Sequence, residues 1–419
     1  MEVPLQYSAL VLGAGIQGLC VALALRKHGH KVGVIDMAKD AMTRASLTYE
    51  GKIHLGFIYG MDKTFGTGRK MVQDSLNFSN YVDYLLDRQV DWPAITSRPN
   101  VYLTHRTSLM TPDEMEGHFE KVAACYRDAI AEQSLNYLGR RPERLFERIE
   151  LPEYVSPETV IGAFKTEEAS VDQVELRSLL CGAVRKADDI ELLFERRIIE
   201  VDHEGVGYKV VCELPDFETE EFKAPLILNC LWEGRTKIDA RVGLIDLPKY
   251  SIRLKYGVVL KADDYVRSLD SITVALGAYG NIVVDTHRPW VYCSWYPECL
   301  VGTMDYGDVP QEWEEACSGD APPERAAELA RANIAAFRKL LPNLPDMEVI
   351  HAKAGMILAE GKVDINDGNS TFHQRNEIPV TGGNGFYSIN TSKYTSAPRN
   401  AMILEEMLFG RQETPTALA

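Results

Sequence analysis

The sequence predicts an α/β fold, in which a Rossmann-like nucleotide-binding domain is interleaved with a substrate domain, an α+β cap built on an antiparallel or mixed sheet. The first observation behind this prediction is a glycine-rich turn near the start of the chain, between an apolar strand pattern and a helix pattern. The second is a run of short apolar segments over residues 251–296, separated by Asp, Gly and Asn. The chain has 419 residues, which is long enough for more than one domain.

The start of the chain predicts a strand, a turn, a helix and a second strand. Residues 7–12 are apolar and suit a buried strand, and residues 16–28 suit a helix that stops at Gly29. Residues 31–35 then form a second apolar strand pattern. Together these segments predict a βαβ unit that is opened by a glycine turn.

The turn at residues 13–18 has the sequence Gly-Ala-Gly-Ile-Gln-Gly, which matches the GxGxxG pattern of dinucleotide-binding proteins. Gly13 allows the tight turn, Gly15 lets the backbone approach a pyrophosphate, and Gly18 lets helix and strand pack closely. Asp36 ends the second strand, where a carboxylate can accept hydrogen bonds from ribose hydroxyls. This context favours a dinucleotide site over a glycine turn with no ligand.

The rest of the chain alternates helix and strand patterns around a loop-rich stretch that contains Pro93 and Pro99. Helices are predicted over residues 64–88, 112–134, 172–186 and 323–341 and from Pro398 onward. Strands are predicted near residues 190–194, 196–202, 207–213, 226–230, 251–260, 272–278, 281–285, 290–296, 347–358 and 385–389. The strands between residues 251 and 296 predict an antiparallel sheet.

The charge balance excludes some classes of partner. Lys and Arg number 45 and Asp and Glu number 61, so the formal net charge is −16. A field of this sign repels nucleic acid backbones and anionic lipid surfaces. We therefore expect no nucleic acid partner and no membrane partner, and a small-molecule substrate instead.

The eight cysteines contain no Cys-x-x-Cys pair, which predicts reduced thiols and a cytoplasmic protein. Residues 8–25 are almost wholly apolar, but glycines interrupt them and no Lys or Arg precedes them. We therefore expect neither a membrane span nor a secretory signal there. The nine histidines show no His-x-x-x-His or Cys/His spacing, so no metal site is predicted.

Several further segments resemble a known family. Residues 44–46 (Arg-Ala-Ser) and 51–59 (Gly-Lys-Ile-His-Leu-Gly-Phe-Ile-Tyr) resemble the second cofactor segment of the FAD-dependent oxidoreductases of the D-amino-acid-oxidase superfamily. Within that superfamily the Ile-His-x-Gly-x-x-Tyr pattern is most similar to L-2-hydroxyglutarate oxidases and FAD-dependent glycerol-3-phosphate dehydrogenases. Residues 229–232 (Asn-Cys-Leu-Trp) resemble a later strand end of the family, although Trp232 replaces a glycine, and residues 385–396 resemble its closing strand and loop.

The resemblance implies FAD as the cofactor and a discontinuous FAD-binding domain. It assigns residues 1–60, 165–245 and 350–419 to that domain, and residues 61–164 and 246–349 to the substrate or cap domain. The candidate cofactor-binding residues are Gly13, Gly15, Gly18, Asp36, Arg44, Ser46, Lys52, Ile198, Ser392, Lys393, Tyr394 and Thr395.

Lys393 and His54 are the candidate catalytic residues. Thr395 or Ser396 is predicted to cap a helix that begins near Pro398, so that the positive helix end and the Lys393 ammonium face the negative charge of a reduced flavin. A solvated loop lysine is the alternative. His54 is a candidate base for a substrate proton; the alternatives are covalent attachment of the flavin and a structural histidine packed under the cofactor.

Candidate substrate contacts come from the aromatic strand near residue 292 and from scattered basic residues. Trp290, Tyr292, Ser294 and Tyr296 alternate, so they share one face that either walls a pocket or packs in the sheet core. Residues 354–358 lack the arginine that amino-acid-oxidising relatives carry in Gly-x-Arg-Pro. Arg253, His373 or Arg375 could replace that carboxylate contact. The candidate substrate residues are Tyr59, Arg253, Tyr292, Tyr296 and Arg375.

These features predict an FAD-dependent oxidase or dehydrogenase that removes a hydride from a C–H bond next to a hydroxyl of a small polar substrate and passes it to flavin N5. The same chemistry at the C–N bond of an amine or amino acid is the first alternative. A flavin monooxygenase and a dinucleotide-binding scaffold without turnover are the others. The electron acceptor, oxygen or another, stays open.

Overall fold

The computed structural model of the protein describes residues 6–132, 135–244, 250–305, 307–361, 365–370, 373–375 and 378–410. Its strands are β1 (Ala9–Leu12), β2 (Val32–Ile35), β3 (Lys52–Ile53), β4 (Asn100–His105), β5 (Phe146–Ile149), β6 (Val160–Thr166), β7 (Ala169–Ser170), β8 (Ile190–Leu193), β9 (Arg197–Glu204), β10 (Gly207–Glu213), β11 (Thr219–Ala224), β12 (Ile227–Asn229), β13 (Tyr250–Lys261), β14 (Ser271–Ala275), β15 (Gly280–Val284), β16 (Trp290–Trp295), β17 (Leu300–Asp305), β18 (Val349–Glu360), β19 (Val380–Gly383) and β20 (Phe386–Ile389). Its helices are α1 (Ile16–Lys27), α2 (Ala45–Thr48), α3 (Gly66–Leu86), α4 (Pro112–Glu132), α5 (Gln173–Arg185), α6 (Arg235–Arg241), α7 (Asp264–Ser268), α8 (Tyr296–Cys299), α9 (Gln311–Ala316), α10 (Pro323–Phe337) and α11 (Ala397–Phe409).

The fold is a mixed α/β architecture, as the sequence predicts. A six-stranded sheet has the order β19-β20-β12-β1-β2-β8, and all its pairs are parallel except the antiparallel pair β19–β20. Strands β1 and β2 are buried along their whole length, which explains their uninterrupted apolar sequences. Helix α1 packs against α3, α5 and α11, so residues 16–25 are buried on all faces.

A nine-stranded sheet forms the second layer of the molecule. The order of eight of its strands is β17-β13-β16-β15-β14-β4-β6-β5, and β18 pairs with the other edge of β13. The pairing is antiparallel apart from β4 with β14. Strand β13 has 12 residues and pairs with β16, β17 and β18, so it is held on both edges.

A smaller antiparallel sheet, β11-β10-β9, packs against the six-stranded sheet through an apolar cluster that includes Tyr7, Leu10, Val210 and Phe222. A larger cluster surrounds α1, α3, α4 and α11, and a third fills the space between the nine-stranded sheet and α10. Strand β1 contributes alternate residues to the larger cluster and to the cluster of the smaller sheet, so the six-stranded sheet is buried on both faces.

Strand β4 corrects one expectation from the sequence. Residues 100–105 lie in the stretch predicted to be rich in loops, yet they form a buried strand that pairs with β6 and β14. Strand β14 begins at Ser271, far along the chain, so no local pattern reveals this pairing. The last two residues of the predicted helix 112–134, and residues 1–5, 245–249 and 411–419 of the predicted domains, lie outside the described residues.

Candidate active site

A cavity of about 1050 Å³ lies where the six-stranded sheet meets the nine-stranded sheet. Gly13, Asp36 and Cys230 enter its wall directly after the carboxyl ends of the parallel strands β1, β2 and β12. Arg253 on β13 and Thr273 on β14 contribute to its wall from the nine-stranded sheet. Ligand sites in open α/β sheets lie at this carboxyl edge.

The glycine turn has the geometry that its sequence predicts. Gly13 has φ +99°, and a Cβ there would lie 2.9 Å from the carbonyl oxygen of Cys230. A Cβ on Gly18 would lie 1.8 Å from the carbonyl oxygen of Gly13, and one on Gly15 would lie 3.2 Å from Ser46 Oγ. A Cβ is therefore excluded at these glycines, which lets a ligand approach the backbone closely where α1 begins.

Asp36 and Ser46 line the cavity and brace the glycine turn. Asp36 Oδ2 accepts a hydrogen bond of 2.6 Å from Ala14 N, and its Oδ1 accepts one of 2.8 Å from Ala38 N. Ser46 Oγ accepts a hydrogen bond of 3.0 Å from Ile16 N. Both side chains therefore hold the first turn of α1 in place.

Arg44 also lines the cavity, but its guanidinium is bound to two carboxylates. Nη2 lies 2.7 Å from Glu314 Oε2 and 3.1 Å from Glu233 Oε1. Glu314 belongs to α9, so this ion pair joins the predicted cofactor segment to the other side of the cavity. Ile198 on β9 lies on the same wall.

The closing loop reaches the cavity but does not cap α11 as predicted. The Thr395 hydroxyl accepts a hydrogen bond of 2.9 Å from His54 N and donates one of 3.3 Å to the Lys52 carbonyl. The Ser396 hydroxyl donates to the buried carboxylate of Asp74, and neither side chain bonds to the first turn of α11. The prediction of a capping hydroxyl is wrong because both hydroxyls have tertiary partners.

The same contact brings the two ends of the sequence together. Ser392, Lys393 and Tyr394 line the cavity with Lys52 and His54. Thr395 and Gly18 lie behind its wall rather than on it. The closing loop and the cofactor segment that the sequence singles out therefore share one cavity.

His54 lies against a carboxylate that the sequence does not single out. Its Nδ1 is 3.6 Å from Oε1 of Glu168, whose side chain is 0% exposed. Burial lowers the pKa of His54, and the positive charges of Lys393 and Lys52 lower it further, although Glu168 opposes them. At neutral pH the imidazole is therefore uncharged and able to accept a proton.

Four of the positive side chains on the wall of the cavity lie near one another: Arg253, Lys255, Arg375 and Lys393, which we call the basic cluster. Burial, followed by the charge of Arg375, lowers the pKa of Lys393 to about 7. Burial also lowers the pKa of Lys255. One further carboxylate on the wall, that of Glu50, raises the pKa of both lysines. The cluster repels itself, so it favours an anionic ligand.

The aromatic side chains of the predicted substrate face do not stay together. Strand β16 ends at Trp295, and Tyr296 begins α8, so the alternation stops before it. Tyr296 lines the cavity and its hydroxyl accepts a hydrogen bond of 2.8 Å from Arg253 Nη1. Tyr292 packs behind the wall, and Trp290 stacks on Arg288, whose guanidinium lies 4.6 Å from the ring centre. Tyr59 lines the cavity, with Lys393 Nζ 5.8 Å from its ring centre.

Sequence reasoning missed two residues of the cavity wall, Glu50 and Lys255, and the buried Glu168 beside His54. Lys255 had a signal, because two basic residues at alternate positions interrupt an apolar strand at Arg253 and Lys255. Glu168 had none. The antiparallel pairing of β3 with β7, in which Lys52 lies opposite Ser170, brings it beside His54.

The fold and the cavity define a dinucleotide-binding α/β enzyme. The family model described as DAO, FAD dependent oxidoreductase, matches residues 8–391, so the chain belongs to this family. Its cofactor is FAD, and it is an oxidase or dehydrogenase. The cavity fits this cofactor, because it joins a glycine turn free of side chains to a wide chamber between the two sheets.

Solved structures share the fold at low sequence identity. Glycine oxidase from Geobacillus kaustophilus superposes with a TM-score of 0.65 at 13% identity, over 99% of this chain and 97% of that one. L-α-glycerophosphate oxidase from Mycoplasma pneumoniae, with FAD bound, gives 0.64 at 14% identity, over 96% and 94%. L-amino acid deaminase from Proteus vulgaris gives 0.65 at 11% identity, over 98% and 95%. No curated protein shows significant sequence similarity to this chain.

Two properties of the described residues limit other kinds of site. Among the helices of these residues, none combines the length and apolar character that crossing a membrane requires. Within the same ranges, no group of three or more His, Cys, Asp or Glu side chains is arranged to hold a metal ion.

Proposed function

We propose that this FAD-dependent oxidoreductase removes a hydride from a C–H bond next to a hydroxyl of a small anionic substrate. One observation carries the proposal: an uncharged histidine, His54, lines the same cavity as the four cations of the basic cluster. A hydroxyl needs a base to take its proton as the carbon is oxidised, and an anion needs positive charge to hold it.

The cofactor-binding residues predicted from the sequence are proposed to hold FAD: Gly13, Gly15, Gly18, Asp36, Arg44, Ser46, Lys52, Ile198, Ser392, Lys393, Tyr394 and Thr395. When bound, FAD supplies the hydride acceptor. The turn at residues 13–18 offers N–H groups to a pyrophosphate, and Asp36 offers its carboxylate to a ribose. Lys393 on the closing loop contributes a positive charge to the wall of the cavity.

The division into a discontinuous FAD-binding domain and a substrate domain is likewise a proposal. The six-stranded sheet supports it, since β1, β2, β8, β12 and β20 come from the three segments assigned to FAD. Strand β18 pairs with β13 of the nine-stranded sheet, so we would place it with the substrate domain. Helix α3, which packs against α1 and α11, would go with the FAD-binding domain.

His54 is proposed to accept the hydroxyl proton. Its pKa is lowered by burial and by Lys393 and Lys52, so the ring is neutral at physiological pH. A neutral imidazole has a free lone pair, whereas an imidazolium has none. Proton transfer to His54 would also place a positive charge beside Glu168, which stabilises it.

The basic cluster is proposed to bind the anionic group of the substrate. Arg253 and Arg375 are 2% and 4% exposed, and each guanidinium can donate two parallel hydrogen bonds to a carboxylate or a phosphate. Tyr296 orients Arg253 through its hydroxyl. The likeness to a glycerophosphate oxidase supports this class of substrate, and the predicted similarity to the L-2-hydroxyglutarate oxidase branch agrees with it.

Oxidation of a C–N bond is the second candidate, and Glu50 is the observation that favours it. The Glu50 carboxylate lines the cavity, and Lys52 and Lys255 hold its pKa low against the effect of burial. A carboxylate there could bind the ammonium of an amine or amino acid. The likeness to a glycine oxidase and an L-amino acid deaminase supports this candidate. Neither the family nor these named structures supports the monooxygenase or the scaffold alternative.

We further propose that the enzyme acts on a small molecule in the cytoplasm. Its eight cysteines are free thiols, which suits a reducing compartment.

Anaerobic mixing of the FAD-loaded enzyme with defined donors tests the proposed function. The panel contains 2-hydroxy acids, polyol phosphates, amino acids and uncharged amines, and the loss of the visible absorbance of oxidised flavin is followed. We expect a 2-hydroxy acid or a polyol phosphate to reduce the flavin fastest. Reduction by amino acids or amines alone would replace this proposal with C–N oxidation, and consumption of NADPH without an organic donor would support a monooxygenase.

Replacing Arg253 with methionine is expected to weaken substrate binding by at least tenfold, because a charge-assisted bidentate contact contributes about 1.5–3 kcal/mol. The apparent Kd should rise more than the limiting rate of flavin reduction falls. Arg253→Lys keeps the charge without the fork, so it should recover part of the affinity. An unchanged Kd in Arg253→Met would remove Arg253 from the substrate site.

A further inference from the structure

We propose that Glu168 is a positioning residue that makes His54 a base: its carboxylate binds the Nδ1–H of the imidazole and leaves the Nε2 lone pair for the substrate hydroxyl. The proposal rests on the proposed function, because it assumes that His54 takes a substrate proton. It adds a residue that lies behind the wall of the cavity and touches no ligand.

The carboxylate of Glu168 is fixed by other contacts. Its Oε2 accepts a hydrogen bond of 2.7 Å from Leu55 N, and its Oε1 accepts a hydrogen bond from the Tyr102 hydroxyl. The side chain is 0% exposed, so no water competes for it. A carboxylate held at both oxygens cannot turn away from the imidazole, and Oε1 keeps accepting capacity for a second donor.

The imidazole of His54 is oriented toward this carboxylate. Nδ1 is buried and has no hydrogen-bond partner among the described residues, with Glu168 Oε1 3.6 Å away. That separation is slightly longer than a hydrogen bond, and such contacts commonly shorten when a substrate binds. The His54 backbone is anchored by Thr395, and its ring packs edge-on against Tyr59 at 5.7 Å between ring centres.

The backbone explains why the two side chains meet. Ile53 pairs with Ala169 in the short antiparallel ladder of β3 and β7. His54 follows β3 and Glu168 precedes β7, so the pairing places them next to each other. Tyr137 reinforces the ladder, since its hydroxyl donates to the Ile53 carbonyl at 2.6 Å and accepts from Ala169 N at 2.9 Å.

Glu168 is charged despite its burial. Burial raises its pKa, but His54, Lys52 and Tyr102 together lower the pKa by more than burial raises it. The net pKa therefore lies below the ordinary value. Lys52 is itself buried and donates to the Thr273 hydroxyl. A fixed negative charge beside Nδ1 favours the tautomer with the proton on Nδ1 and stabilises the imidazolium that forms.

In the proposed step, the proton of the substrate hydroxyl moves to Nε2 of His54, and the O–H electron pair forms the carbonyl bond. The hydrogen on the carbon would leave with its electron pair as a hydride, for which bound FAD would be the oxidant. Glu168 keeps its negative charge throughout and exchanges no proton.

The charged and titratable groups that face His54 come from several elements. Glu168 raises the pKa of His54, whereas Lys393 on the closing loop and Lys52 on β3 lower it. Glu50 interacts with the ring through its charge, and Tyr59 packs against it. Because Glu168 raises the pKa, its neutralisation should lower the pKa of His54.

The test compares Glu168→Gln with Glu405→Gln. Glu405 is a matched control, because it is also buried, at 5% exposed, and also contacts a histidine and a tyrosine. Its Oε1 lies 2.6 Å from His28 Nε2 and accepts a hydrogen bond of 2.9 Å from the Tyr84 hydroxyl, and it does not line the cavity. Both variants are loaded with FAD. The titration and tautomer of His54 are measured by NMR of 15N-histidine-labelled protein, with the signal assigned from His54→Gln.

We expect Glu168→Gln to lower the pKa of His54 and to mix its tautomers. Anaerobic flavin reduction should slow by roughly 10- to 100-fold, a part of the 10²–10⁴ that a positioned base contributes. FAD content should stay at the wild-type value. Glu405→Gln should change neither the titration of His54 nor the rate.

Three results would overturn the proposal. One is a wild-type His54 with its proton on Nε2 at neutral pH. That measurement does not use Glu168→Gln, so it remains decisive if this variant fails to fold. Another is an unchanged titration in Glu168→Gln, and a third is an unchanged rate in that variant. If flavin reduction is slow in His54→Gln but has the wild-type rate in Glu168→Gln, only this inference fails. If both variants have the wild-type rate, the proposed role of His54 as the base fails as well.

Discussion

Replacing His54 with glutamine is expected to slow anaerobic reduction of the bound flavin by about 10²–10⁴, which is the usual contribution of a positioned base. The reason is that glutamine has no site that accepts a proton at neutral pH, although it fills a similar volume. FAD content should change little, because Thr395 anchors the backbone N–H of residue 54 and not its side chain. Stopped-flow absorbance with the best donor of the panel measures the rate.

His118→Gln is the matched control for this variant. His118 is a buried histidine whose Nε2 contacts the carbonyl of Gly56 at 3.0 Å, so it supports the same segment from behind without lining the cavity. The control should keep the wild-type rate. Parallel losses of rate and FAD in His54→Gln would assign His54 a structural role, and a normal rate with an amine donor would favour C–N oxidation.

Replacing Gly18 with alanine is expected to abolish stable FAD binding. Its Cβ would lie 1.8 Å from the carbonyl oxygen of Gly13, a backbone atom that cannot move without opening the turn. Overpacking of this kind costs at least about 1–3 kcal/mol, and it acts directly on the turn that is proposed to bind the pyrophosphate. Affinity should therefore fall at least about tenfold. Flavin absorbance per protein after dialysis measures it.

Gly182→Ala separates this effect from a general cost of adding a methyl group. Gly182 lies in α5, and a Cβ there would meet no atom within 4 Å. The change should raise the free energy of unfolding by about 0.5–1 kcal/mol, because alanine favours a helix over glycine, with FAD content unchanged. Full FAD occupancy in Gly18→Ala would contradict the assignment of the glycine turn to the cofactor.

The sequence predicts the parts of the site that depend on local chain geometry. The glycine turn, the strand before it and the helix after it are encoded within about thirty residues, so pattern and spacing predict them. The start of α5 is a second example: a helix is predicted from residue 172, and Asp172 caps it by accepting hydrogen bonds from Val174 N and Glu175 N.

The sequence predicts poorly the features that depend on distant partners. The hydroxyls of Thr395 and Ser396 suit a helix cap locally, but His54 N and Asp74 occupy them. Glu168 is indistinguishable from a surface glutamate until β7 pairs with β3. Strand β4 likewise becomes a strand only beside β6 and β14. In each case tertiary contacts override the local preference.

The hydrogen bond from His54 N to Thr395 has a consequence for biosynthesis. The wall of the cavity needs residues from Gly13 to Tyr394, and β20 must dock beside β12 before the closing loop can reach segment 52–54. Nearly all of the polypeptide must therefore leave the ribosome before the vitamin-derived cofactor can be enclosed. We therefore expect FAD to bind late, after most of the chain has been synthesised.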